Sequence, residues 1–334
     1  MDVAGLADKD GETPAIVWTG RTLVAFAGAS PHIVVSRSTS AGATWSAPKA
    51  LVTDASNPAP VWDERSKTII FMYSHDFKYK VVESRDEGLT WEAPRTICDG
   101  CEVDGKPLEK RWGFQLPGPP GGIVASNGRI LQCCDHMLKG TDVCTMGSDA
   151  CNKGNHVLFS DSRGRTWNVS GLAAEGSPIW GDECSVAQLP GTDILVMNSR
   201  VDSNNNSLTM PGYGRATSFS SDWGSTWGPA ARRDTLPDGI CGGDMISTTG
   251  SALGNGLLTS NVNGGCKGLG CKEFPAPATN WTGTRANLTL SFSSDGIAWR
   301  RLVHIWPGNA TYSSLTDLGS GLVGCLYDQG EHER

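Results

Sequence analysis

The chain has 334 residues, 38% of them hydrophobic and 19% charged, with a formal net charge of −7. No run approaches the roughly 20 apolar residues of a transmembrane helix, and the 28 Lys and Arg residues are scattered, so no membrane span and no nucleic-acid partner are expected. The 42 glycines follow no period of three, which excludes collagen; set among apolar runs of about four to eight residues, they predict short strands, tight turns and an all-β fold.

Taken in chain order, Met1 to Asp8 has neither a basic n-region nor an apolar core, so no signal peptide is expected in this chain. Strand-like runs follow at Ile33-Val34-Val35, Tyr79-Lys80-Val81-Val82, His156-Val157-Leu158-Phe159 and Leu288-Thr289-Leu290. Each leads into one recurring turn, Ser-x-Asp-x-Gly-x-Thr-Trp. The fullest copies are Ser84 to Trp91 and Ser220 to Trp227; Ser162 and Ser40 replace the Asp in Ser160 to Trp167 and Ser38 to Trp45, and Ser293 to Trp299 is one residue shorter. The Asp accepts hydrogen bonds from turn amides, the Gly supplies positive φ, and the Trp packs beneath, so each residue has a local, structural role. The tryptophans that close the turns lie 46 to 76 residues apart, and units of about 56 residues fill the chain with about six blades. No linker divides residues 1–334, which read as a single domain.

Eleven cysteines, several at short spacings (Cys98/Cys101, Cys133/Cys134 with Cys144 and Cys151, Cys266/Cys271), accompany five Asn-x-Ser/Thr sequons at Asn168, Asn205, Asn280, Asn287 and Asn309. They predict a secreted or luminal protein. The odd count leaves at least one thiol free or paired outside the chain, and the pairing stays open. Cys98 and Cys101 have no second Cys or His pair at metal spacing, so no metal site is expected.

Between the turns, several segments fall in a consistent order. They are Asn57 to Asp63 with Ile69 to Tyr73, Pro117 to Ile123 with Gly128 to Leu131, Gly181-Asp182-Glu183-Cys184-Ser185-Val186, Leu195 to Arg200, Arg285 to Thr289, Tyr312-Ser313-Ser314-Leu315, and Gly324 to Asp328. With the repeated turns, which are Asp boxes, this order resembles animal and bacterial sialidases, the neuraminidase glycoside hydrolases built on a six-bladed β-propeller of BNR repeats. The resemblance covers nearly the whole chain. It implies release of terminal α-linked sialic acid with retention, through a tyrosyl intermediate at Tyr312. Glu183 would be the partner of that nucleophile, and Arg200 and Arg285 would belong to the arginine set that grips the substrate carboxylate. No cofactor is implied; the implied partners are sialylated glycoproteins, glycolipids or oligosaccharides, in a lysosomal or extracellular setting.

Chemistry accounts for this set. Sialic acid carries a carboxylate on its anomeric carbon, so a carboxylate nucleophile would meet like-charge repulsion, and sialidases use a tyrosine instead. A phenol with a pKa near 10 needs a neighbouring base. Two guanidinium forks fix a carboxylate by bidentate bonds.

The resemblance fails in the first blade. Where the family has Arg-Ile-Pro, with the first arginine of its triad, this chain reads Glu12-Thr13-Pro14; the carboxylate that normally braces that arginine appears as Asp328. The loop that should carry an acidic proton donor is the short Ser30-Pro31-His32-Ile33, whose one titratable group, His32, is the speculative acid. Two further readings therefore stand beside the enzyme: a catalytically weakened propeller that binds sialic acid as a lectin, and a protein-interaction scaffold. Completeness of the domain at its two ends is left open.

Overall fold

In the computed structural model, residues 13–29, 31–139, 153–170, 181–201, 214–239, 241–250, 252–263 and 285–329 are described. Strands dominate because the apolar runs are rich in Val, Ile, Leu and aromatics and are punctuated by Gly and Asx turns. Many are buried on both faces; β6 (Thr68–His75) is inaccessible along all but its last residue, the mark of a strand packed between two sheets.

The sheets are antiparallel meanders that follow one another along the chain. The first holds β1 (Ala15–Trp18), β2 (Leu23–Ala29), β3 (His32–Ser38) and β4 (Lys49–Thr53); the second β5 (Ser56–Asp63), β6, β7 (Lys78–Ser84) and β8 (Arg95–Thr96). A small pair, β9 (Glu102–Val103) and β10 (Lys106–Pro107), and one helical turn, α1 (Leu108–Arg111), lead to the third sheet. That sheet comprises β11 (Trp112–Pro117), β12 (Ile123–Val124), β13 (Ile130–Leu138), β14 (Lys153–Ser160) and β15 (Asn168–Val169). The fourth has β16 (Gly181–Gln188), β17 (Leu195–Val201), β18 (Gly214–Ser220) and β19 (Ala231–Pro237).

The fifth begins with β20 (Asp244–Thr248), β21 (Gly256–Val262) and β22 (Ala286–Ser293), and ends on the long β23 (Arg300–Gly319). This strand changes sheets: through Asn309 it pairs with β22, and from Ala310 onward with β24 (Leu322–Gln329). The second pairing makes a hairpin that occupies a sixth blade position. It packs on β1, where the Ile16 amide donates to Ser314 Oγ at 3.2 Å, so the ring closes between the two ends of the described chain. The architecture is an all-β propeller.

Each Asp box makes the bonds its residue types predict. Asp86 accepts from the Thr90 amide (2.8 Å) and hydroxyl (2.5 Å), and Ser84 Oγ accepts from the Gly88 amide (2.8 Å); Asp222, Thr226, Ser220 and Gly224 repeat the pattern. Where Ser replaces Asp, the hydroxyl takes over: Ser40 and Ser162 accept from the Thr44 and Thr166 amides, both at 2.8 Å.

The local role predicted for these turns is incomplete, however, because their glycines also touch the preceding blade. A Cβ on Gly88 would meet Val24 at 3.1 Å, one on Gly164 Ile70 at 2.8 Å, one on Gly224 Leu131 at 2.6 Å, and one on Gly296 Val196 at 3.2 Å. Each of these four turns thus interlocks with the second strand of the sheet before it. Between the first two blades, Phe26 stacks on Phe71 with centroids 4.5 Å apart and Trp91 edge-on to both.

Cys98 bonds to Cys101, and Cys133 on β13 to Cys184 on β16; Cys144, Cys151, Cys266 and Cys271 lie outside the described residues. Of the sequons, Asn168 is exposed, whereas Asn287 is buried and so is a poor glycan acceptor in the folded chain; Asn205 and Asn280 are not among the described residues. Among the described residues no helix is long and apolar enough to cross a membrane.

Gly224 and Gly191 both have positive φ, +80° and +76°, but nothing lies within 4 Å of a Cβ at Gly191. Gly191→Ala is expected to cost only the left-handed penalty, about 1 to 2 kcal/mol. Gly224→Ala should cost about 1 to 3 kcal/mol more through overpacking against Leu131. Urea unfolding of the two variants measures the difference, and equal losses would remove the interblade contact from the role of the turn.

Candidate active site

In each of the five blades that carry one, the Asp box joins the third strand to the fourth, so the first strand starts, the second ends and the third starts on the opposite face of the ring. Glu183 lies near the start of β16, a first strand; Arg200 near the end of β17, a second strand; Arg285 just before β22, a third strand. Tyr312 follows the point where β23 becomes the first strand of the sixth blade position. All four therefore sit at the face away from the Asp boxes.

They meet there. Tyr312 Oη donates to Glu183 Oε1 at 2.6 Å across a sequence separation of 129, and Arg200 Nη1 donates to Glu183 Oε2 at 2.9 Å. The Arg285 guanidinium carbon lies 5.9 Å from the Tyr312 ring centroid. Blades four and six are not neighbours in the ring, so a side-chain bond between their inner strands requires the space where inner strands converge. Burial, and next the Glu183 carboxylate, push the Tyr312 phenol well above its ordinary range. The phenol is thus neutral at rest.

Several unforeseen residues hold this group in place. Asp182 Oδ2 accepts from Lys153 Nζ at 2.7 Å and lies 3.6 Å from Arg200 Nε. Arg215 is wholly buried, donating from Nε to Asn198 Oδ1 and from Nη1 to the Cys241 carbonyl, each at 2.9 Å. Asp238 lies 3.6 Å from Arg215 Nη1 and receives the Val201 amide at 2.9 Å, fixing the residue after Arg200. Gly242 lies flat against the pair: a Cβ there would stand 2.7 Å from the Tyr312 ring and 3.3 Å from Glu183 Oε2. Asp244 receives the Leu315 amide at 2.6 Å and Ser314 Oγ at 3.2 Å, which anchors the strand that carries Tyr312. Of these, only Arg215 had a readable signal, a charged residue inside a strand that leads into an Asp box.

His32 is not part of the cluster. It opens β3 on the same face, but its Nδ1 lies 3.2 Å from Thr53 Oγ1 on the outer strand of its own blade, and no contact among the described residues joins it to the other four. Asp328 accepts from Thr311 Oγ1 at 2.6 Å, and Glu12 lies outside the described residues. Among the described residues no group of His, Cys, Asp and Glu is placed to hold a metal ion. A separate cleft of about 610 Å³, lined by Thr19, Arg37, Trp62, Lys67, Arg85 and other residues, opens on the Asp-box side and contains none of the four.

A ring of antiparallel blades with Asp-box turns and a tyrosine–glutamate–arginine centre defines the sialidase kind of propeller. The profile of the BNR repeat-like domain matches residues 22–325, and the chain belongs to that family. A sialidase of Bacteroides fragilis (strain YCH46) is 27% identical over 263 residues, 76% of this chain and 40% of that protein. A sialidase of Micromonospora viridifaciens is 28% identical over 256 residues, 75% of this chain and 33% of that protein. The chain thus spans well under half the length of these relatives. Among solved structures, the Hadza microbial sialidase Hz136 superposes with a TM-score of 0.72 at 24% identity, over 95% of this chain and 63% of that one. Trypanosoma rangeli sialidase gives 0.69 at 17% identity, over 96% and 53%.

The Cys133–Cys184 disulfide ties β13 to β16 one residue beyond Glu183, closing a separation of 51 residues. The double variant Cys133→Ser/Cys184→Ser is expected to lose up to about 4 kcal/mol of stability on the loop-entropy account. Denaturant unfolding checks this, and an unchanged midpoint would count against a stabilising bridge.

Proposed function

We propose that this protein is an exo-α-sialidase that hydrolyses terminal α-linked sialic acid from glycoconjugates with retention. The observation that carries the reading is the buried hydrogen bond from Tyr312 Oη to Glu183 Oε1, with Arg200 and Arg285 beside it. One of the similar solved structures is T. rangeli sialidase in complex with sialic acid, which supports the same ligand class here.

In this mechanism Arg200 and Arg285 receive the substrate carboxylate and set the anomeric carbon over the phenol oxygen. Glu183 takes the phenol proton as the oxygen–carbon bond forms and the bond to the leaving glycosidic oxygen breaks, the leaving oxygen drawing its proton from solvent or from an acid not among the described contacts. Water then attacks the same carbon as the bond to the phenol oxygen breaks, its surplus proton passing to solvent or back to the group that protonated the leaving oxygen; Glu183 returns the held proton to the phenolate, and the second inversion restores the original configuration. A neutral phenol suits this step because it approaches the carboxylate-bearing carbon without charge repulsion. The disulfides fit an oxidising, secreted or luminal setting.

A sialic-acid-binding lectin is the second reading. It is favoured by the engagement of His32 with Thr53 and by the absence of an acidic residue between Ser30 and Val35. Loss of a general acid costs about 10²- to 10⁴-fold in rate, which leaves a slow enzyme.

Glu183→Gln is expected to lower kcat on an aryl sialoside by about 10²- to 10⁴-fold, and Tyr312→Phe by at least as much, both variants still unfolding cooperatively; Tyr312→Phe, which takes a donor from the buried Glu183 carboxylate, unfolds at a lower temperature than the parent protein. An aryl leaving group needs little protonation, so this substrate reads the nucleophile and its base. Turnover by Tyr312→Phe equal to that of the parent protein would exclude the tyrosyl mechanism, and sialoside binding without release by the parent protein would decide for the lectin.

A further inference from the structure

Behind Glu183 the third blade presents two acceptor groups that lack a donor. Asp135 on β13 is completely buried, and among the described residues neither of its carboxyl oxygens has a hydrogen-bond partner. Asn155 stands directly opposite on β14, so both side chains leave the same face of the sheet with Cβ atoms roughly 5 Å apart. Asn155 Oδ1 is likewise buried and unpartnered.

The amide orientation has a cause. Asn155 Nδ2 donates to the Asp182 carbonyl, and the reverse orientation would set two carbonyl oxygens against each other. Gly181 permits the approach, since a Cβ there would lie 1.7 Å from Asn155 Oδ1. Two neighbouring buried acceptor groups, one of them a carboxyl, are reconciled by a single proton.

The charges that face Asp135 point the same way. Asp182 and Glu183 approach from β16, Lys153 from its own sheet on β14, and Arg200 from β17. Lys153 is engaged by Asp182 at 2.7 Å and Arg200 by Glu183 at 2.9 Å, so an ionised Asp135 would add a third buried negative charge without a hydrogen-bond donor. Burial first, then the charges of Asp182 and Glu183, push its carboxyl well above the ordinary range.

We propose that Asp135 is held protonated and donates its O–H to Asn155 Oδ1, completing a strut from Asp135 through Asn155 to the Asp182 backbone that fixes Glu183 one residue further on. Asp135 is then a positioning residue. It acts on the base through two intermediaries and touches no reacting atom. Its effect on turnover rests on the hydrolase reading above, whereas its protonation does not.

The test uses the full chain, D135N and D135V. In D135N the amide keeps a donor for Asn155 Oδ1; in D135V both donor and acceptors are gone. A carboxyl whose folded pKa is raised binds its proton more tightly in the folded state, so stability falls as pH rises from the unfolded value toward the folded one. The unfolding equilibrium of the parent protein relative to D135N is therefore expected to shift toward unfolding by about tenfold per pH unit from pH ~5 upward, until the buried carboxyl itself ionises. Groups common to both proteins cancel in that ratio. A flat ratio would overturn the proposal, as would stabilisation by calcium of the parent protein but not of D135N, which would put a cation where the proton is assigned.

In the kinetic arm, D135V is expected to lose at least about tenfold in kcat on an aryl sialoside with KM within about threefold, and D135N to restore it. Equal kcat in the two variants would overturn the positioning role. If D135V fails to fold, the pH ratio with D135N still decides. If the parent protein shows no turnover, that same ratio decides and the failure belongs to the hydrolase reading alone.

Discussion

Taking a carboxylate out of water costs several kcal/mol even after relaxation, and the Glu183 carboxylate is almost entirely out of water. The site is organised around meeting that cost: one oxygen accepts from a phenol, the other from a guanidinium. Removing either partner leaves a buried charge with half its compensation, which makes the trio interdependent. The same low-polarity surroundings keep Tyr312 protonated. Solvation and reactivity are thus two aspects of a single contact.

The propeller supplies that contact by dividing labour between its faces. On one face, the Asp boxes of the second to fifth blades tie each of these blades to its predecessor through a glycine pressed on an apolar side chain. The opposite face carries the strand starts and ends where the inner strands of several blades converge, and there the polar groups gather. Interblade restraints then reach Glu183 from behind: Cys184 is covalently joined to Cys133, and the Asp182 carbonyl is held by Asn155. Glu183 lies between those two anchors, so its side chain inherits the rigidity of the third and fourth blades together.

Much of this was legible in the residues. The Asp boxes were readable even where Ser40 and Ser162 stand in for Asp, because a hydroxyl accepts from the same threonine amide within one turn. Glu183, Arg200, Arg285 and Tyr312 could be named from motif order, and the structure brings them into one cluster. His32 could be named only by default, and its observed partner is Thr53. Asp135, Asn155 and Gly242 carried no signal, since a buried Asp in a strand looks like any other until the strand opposite it is known.

What the sequence by itself determined is whatever is settled within a few residues: turn chemistry, strand alternation and the recurrence of the Asp-box turn. Tertiary structure alone decided which of those groups touch, that Cys133 pairs with Cys184 rather than with a nearer cysteine, and that the turns grip the blade before them. The physical reason is range. A turn closes its hydrogen bonds over four residues, whereas the bond between Tyr312 and Glu183 spans 129 and exists only because every intervening blade has packed and the ring has closed.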